Sequence, residues 1–153
     1  NGVFVIDIAT LSRQYDWDRG WVTGEYFRQD IDWGEMGGIF AIKPQTSSES
    51  FYLQLEHRFT SDLSMFVRRD VFYMDKDDRS GEKTALLDGQ PTYAHYAFDW
   101  TLGVGWEPSP NWLLRAEWHK VKGTAWLATQ DNPLNVEKEK DWNMLLLQAT
   151  YRF

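Results

Sequence analysis

Charged side chains recur at every second position along several stretches of this sequence. That spacing limits the chemistry they can do. Glu25, Glu56 with Arg58, Arg68 with Asp70, Asp99, the run Arg115, Glu117 and His119, and Arg152 each fall on the more polar of two alternating faces. Successive side chains of a strand point to opposite sides, so such residues line a surface without converging on a point. Glu117 and His119 share a face, yet no Ser or Cys nucleophile accompanies a base in the pattern that covalent catalysis requires. The chain has no Cys, and its three His are scattered, so no metal spacing is present. The run from Asp75 to Glu82, DKDDRSGE, has the acidity of a calcium loop, but Arg79 and Ser80 stand where an oxygen ligand and the turn glycine are needed. Gly103-Val104-Gly105 lies within a strand pattern and precedes no helix, so it is no nucleotide fingerprint; small residues there make room beside the strand. The reading is non-enzymatic, with no cofactor and no metal.

The elements that position these charges are strands. The chain of 153 residues is one domain by length. Nine Trp, seven Tyr and nine Phe make up 16% of it, a load suited to rings that sit between apolar and wet surroundings. Mean hydropathy is nevertheless low, at -0.55, and the net charge is -7. Lys and Arg are outnumbered and unclustered, which argues against a nucleic-acid binder. No run approaches the ~20 apolar residues of a spanning helix, so a membrane could be crossed only by strands. The sequence begins at Asn1 without Met or signal peptide, as expected of a mature or truncated product.

The clearest strand is His95 to Trp106. Tyr96, Phe98, Trp100, Leu102, Val104 and Trp106 share one face, and the other holds only small or polar groups. A short turn, Glu107–Asn111, leads into Trp112–Val121, where Leu114, Ala116 and Trp118 oppose Arg115, Glu117 and His119. Phe51–Phe59 alternates in the same way and passes through Thr60–Asp62 into a strand from Leu63, whose apolar face Arg69 interrupts as a bulge or a charge near an interface. Val3–Tyr15 and Trp21 to about Ile31 open the chain around the turn Asp16–Gly20, with Asp7 and Arg13 fitting neither face of the first cleanly. Leu145–Phe153 closes it, alternating Leu145, Leu147, Ala149, Tyr151 and Phe153 against Leu146, Gln148, Thr150 and Arg152. A faint repeat, Gly24-Glu25-Tyr26, Leu55-Glu56-His57 and Ala116-Glu117-Trp118, turns each Glu from the apolar face.

The connections alternate in length. Asp16–Gly20, Thr60–Asp62 and Glu107–Asn111 are short, whereas Trp33–Ser50, Asp75–Tyr93 and Thr124–Lys140 are long and polar. Short turns on one side and long loops on the other are the arrangement of outer-membrane barrels. With this pattern, the terminal Tyr151-Arg152-Phe153, the hairpin DWTLGVGWEPSPNWLLRAEWHKV and the stretch Phe66-Val67-Arg68-Arg69-Asp70, the sequence resembles the bacterial outer-membrane porins over nearly its whole length.

The resemblance implies an all-β, antiparallel, up-and-down transmembrane β-barrel spanning 1–153 as a single domain. Bacterial single-chain barrels have even strand numbers. The seven strands predicted here are therefore expected to be the C-terminal part of a larger barrel, or an eight-stranded barrel with one strand absent or misread. Tyr151 and Phe153 would form the C-terminal signal read by barrel-assembly machinery. The C-terminus would be periplasmic and the long loops extracellular. Outer-membrane lipids and lipopolysaccharide would surround the wall; Asp75–Glu82 reads as a solvated acidic loop, with divalent ions bridging it to lipopolysaccharide as the sharper alternative. A homo-oligomer, as in porin trimers, is a further implication. The charged residues would line the pore, either setting a transverse field that filters small polar solutes or ions, or pairing with one another to hold the wall together. Two alternatives remain at this stage: a small non-conducting barrel with a structural, adhesion or partner-binding role, and a soluble β-sandwich, which would extract without detergent.

Overall fold

The structure, a computed structural model, describes residues 4–34, 45–127 and 138–153. Seven strands form one antiparallel sheet: β1 (Val5–Trp17), β2 (Gly20–Asp32), β3 (Gln45–Arg58), β4 (Leu63–Tyr73), β5 (Tyr96–Ser109), β6 (Trp112–Lys122) and β7 (Asp141–Tyr151). Each pairs only with its neighbours in sequence, in the order β1 to β7. The sheet is not closed, since β1 and β7 carry no partner on their outer edges among the described residues. A seven-residue helix, α1 (Glu82–Asp88), and a 3₁₀ turn (Thr92–His95) lie in the connection between β4 and β5.

Alternation sets the two faces of the sheet, and burial separates them. On β5, Ala97, Asp99 and Thr101 are buried while Trp100, Leu102 and Trp106 are exposed. The same division crosses the sheet: Leu55, Val67, Leu102, Trp118 and Leu145 form one line of cross-strand partners, and all are exposed. Three residues back along β5, on the opposite face, the partners Asp99 and Val121 are both about 1% exposed. A single sheet with no second layer buries one face only by curling around it, as a twisted, coiled sheet does. The concave face is the polar one and the convex face the apolar one.

Gly103 shows how the concave face is filled. It pairs with Phe66, and a Cβ built there would run into the Phe66 ring. Only a residue without a side chain lets that ring lie flat on the neighbouring strand. Phe66 is consequently 5% exposed.

The structure corrects several boundaries. β3 starts at Gln45, so the expected loop Trp33–Ser50 is strand over its last residues, because the ladder to β2 runs on to Asp32↔Gln45 after the apolar alternation has ended. β1 ends at Trp17 where Tyr15 was expected and starts at Val5, the expected start Val3 lying outside the described residues, while β2 gains a residue at each end, so the first turn shortens to Asp18 and Arg19. β5 continues to Ser109 through a register shift between Trp106 and Ser109, leaving Pro110 and Asn111 as the turn. No bulge occurs at Arg69, whose pairs with Leu53 and Trp100 are in continuous register. Asp7 and Arg13, which fitted neither face, share the convex parity of β1 with Val5 and Tyr15. Arg152 and Phe153 lie past the end of β7, where the Arg152 N–H donates to Asn111 O at 2.8 Å and Asn111 Nδ2 donates to Arg152 O at 2.7 Å. Among the described residues no helix is long and apolar enough to cross a membrane, which says nothing about crossing by strands.

Candidate functional site

The polar concave wall is the candidate site. Its residues arrive there by parity: Glu25 on β2, Glu56 and Arg58 on β3, Arg68 and Asp70 on β4, Asp99 on β5, and Arg115, Glu117 and His119 on β6 all fall on the face shared with Thr101 and Phe66. Arg152 is exposed beyond the last strand and stands apart from the group. The repeated Glu25, Glu56 and Glu117 keep the inward parity predicted for them.

The densest part joins β4, β5 and β6. His119 Nδ1 lies 2.6 Å from Asp99 Oδ2, and the Thr101 hydroxyl donates to the same carboxylate oxygen at 2.9 Å. His119 Nε2 lies 3.4 Å from Glu117 Oε2, whose partner oxygen is 3.9 Å from Arg115. Asp70 pairs with Asp99 across the strands and accepts from Arg68 Nε at 2.8 Å. Asp99 Oδ1 remains buried without a hydrogen-bond partner. Arg115 and Arg68 also lie over the Phe66 and Tyr52 rings, at 5.7 and 5.8 Å from their centroids. The arrangement is two clusters side by side, Arg68 with Asp70 and Asp99 with Thr101 and His119, the second continued at ion-pair distance through Glu117 to Arg115. Buried charges persist only when paired and hydrogen-bonded in this way.

Its chemical capacity is electrostatic. Asp99, Thr101 and His119 superficially resemble a catalytic set, but the carboxylate and the hydroxyl both approach the same imidazole nitrogen, whereas a relay needs them on opposite nitrogens. Among the described residues, no group of three or more His, Cys, Asp or Glu side chains could hold a metal ion. The Asp75–Glu82 segment is engaged internally: Asp78 Oδ2 accepts the Thr84 N–H at 2.7 Å and its hydroxyl at 2.9 Å, while Arg79 Nε donates to Glu49 at 2.6 Å. Burial is the largest single influence on the Asp78 carboxyl and raises it, but the two Thr84 donors, the Lys83 N–H and the Lys83 charge together hold the group below its ordinary range.

Two features were missed in the sequence. Thr101 read only as a small polar residue, although its place opposite His119 decides its role. At the long-loop end the convex face turns polar: Glu49 is 5% exposed and bonded to Arg79 and Tyr26, and Asp30 binds Arg28 and Ser47. Continuing the alternation back from Phe51 through Glu49 to Ser47 would have found it. No protein-family model matches the chain, and neither a curated protein nor a solved structure resembles it closely enough to count as a match.

Proposed function

We propose that the chain forms wall of a porin-like β-barrel in a bacterial outer membrane, through which small hydrophilic solutes or ions diffuse passively. One observation carries the reading: the sheet is inverted relative to a water-soluble one, with Asp99, Thr101 and His119 at 1 to 4% exposed inside and Phe51, Leu53, Leu102 and Leu147 between 44 and 76% exposed outside. Monomeric soluble proteins rarely expose so continuous an apolar surface, whereas a lipid-facing wall requires one. The polar rim of Arg28, Asp30 and Glu49 at the long-loop end fits the point where such a wall leaves lipid. In lipid, the edges of β1 and β7 require partner strands, because each unsatisfied backbone group there costs several kcal/mol. The concave network supplies fixed charge along the solute's path. Tyr151 and Phe153 would serve recognition by assembly machinery.

A second reading, a barrel that conducts nothing, is favoured by Phe66, which fills space on the concave side where a channel would hold water. Refolding from urea into phosphatidylcholine vesicles, followed by planar-bilayer recording, separates the readings. Discrete conductance steps are expected, with cation preference reduced by Glu25→Gln and Glu117→Gln. Insertion without conductance would favour the closed barrel. A protein that stays in the aqueous phase would end both.

A further inference from the structure

The apolar convex face is interrupted by cations toward its long-loop end, one line inside the Phe51, Val71 and Phe98 partners that adjoin the polar rim at Glu49. Arg69 on β4, Trp100 on β5 and Lys120 on β6 are successive cross-strand partners, so the indole stands between two positive side chains. The Arg69 guanidinium lies 5.1 Å from the centroid of Trp100 and 5.5 Å from that of Phe98. Its other cross-strand neighbour is Leu53, and the other neighbour of Lys120 is Asn143. No carboxylate is in register beside either cation; Asp141, opposite Lys122, is the acid of the adjoining line. The contrast with the remaining network is sharp, since Arg28, Arg68, Arg79 and Arg115 each have a carboxylate at ion-pair distance. In a chain of net charge -7, two cations flanking one indole, with no carboxylate in register beside either, mark a position complementary to an external anion.

The geometry limits that anion. Adjacent strands lie about 4.8 Å apart, so the Arg69 and Lys120 backbones are separated by roughly 10 Å. Side chains of their length can meet over Trp100 on a single phosphate, with the arginine fork taking two oxygens and the ammonium a third. Around this point Leu53, Leu102, Trp100 and Trp118 are exposed. A free phosphate would leave those groups in water. A phospholipid would place its headgroup on the cations and its glycerol and acyl chains along the rings.

We propose that Arg69, Lys120 and Trp100 form a seat for the phosphate of an anionic membrane lipid. The proposal rests on the reading of the convex face as lipid-facing. The full chain in detergent, equilibrated with equal amounts of phosphatidylglycerol and phosphatidylcholine and weighed intact with its bound lipid, is expected to retain phosphatidylglycerol about fivefold over phosphatidylcholine. Arg69→Gln combined with Lys120→Gln should bring the ratio near unity, while Arg69→Lys should keep most of the preference. Far-ultraviolet circular dichroism will verify that these exposed substitutions leave the β content unchanged. Excess inorganic phosphate should not alter the ratio. Equal retention of both lipids by the native chain, a preference that survives the double substitution, or its loss to inorganic phosphate would each overturn the proposal. Failure to enter vesicles at all would instead remove the membrane reading beneath it.

Discussion

Asp99 and Arg69 lie on adjacent strands, on opposite faces of the sheet, and were not equally legible. Asp99 was readable because it falls on the polar parity of an unbroken alternation from His95 to Trp106. Its partners were not, because pairing of Thr101 with His119 depends on the register between β5 and β6, which no single strand encodes. Arg69 broke its own strand's pattern, and the rings that receive it belong to the next strand. The buried pair makes a specific prediction: His119→Ala leaves the Asp99 carboxylate without its closest partner, at a cost of about 3 kcal/mol in urea unfolding from vesicles. Adding Asp99→Asn should recover part of that loss, and no recovery would mean the imidazole contributes by packing alone. Gly103 gives a second test. Gly103→Ala drives a methyl group into the Phe66 ring and should destabilise by about 1 to 3 kcal/mol, with a smaller penalty in a Phe66→Ala background.

Element existence was legible wherever alternation was strong, and element ends were not. β3 shows why: an apolar face announces Phe51 onward, but the backbone ladder that defines the strand begins at Gln45, among residues whose side chains are polar on both faces. The connection between β4 and β5 hid a helix for a related reason. α1 has no buried residue of its own, so no apolar stripe marks it, and it is tied down through Asp78 and Thr84. That tie fixes its pH response. Because the folded state holds the Asp78 carboxyl below its ordinary value, its contribution is present above the usual carboxylate range and is lost as pH falls through the depressed folded value. Protection of the Thr84 amide, its exchange rate set against that of an unstructured chain at the same pH, should therefore be high at neutral pH and fall on acidification below about pH 4. Asp78→Asn should show little protection at either pH, and strong protection in that variant would show that the helix is held elsewhere.

At the scale of the whole molecule, the alternation of short and long connections was visible before any strand boundary was secure, and it corresponds to a sheet ordered β1 to β7. The curl that distinguishes inside from outside was not visible, because parity separates two faces without saying which is concave. The inversion has a direct test. Leu55→Arg and Leu102→Arg place cations on the exposed line of the convex face, and each should weaken vesicle insertion by about 2 to 4 kcal/mol if that line lies near the bilayer midplane. Unchanged partitioning would place the line in water. The neighbour-only pairing of the strands also bears on how the sheet comes into being. Every pairing closes a loop no longer than one connection, so the search for partners stays local, and rates of assembly should depend weakly on sequence distance. Strands can join one after another at a growing border. Among the described strands, neighbour pairing leaves open the outer borders of β1 and β7, and the partners of those borders join the growing sheet there.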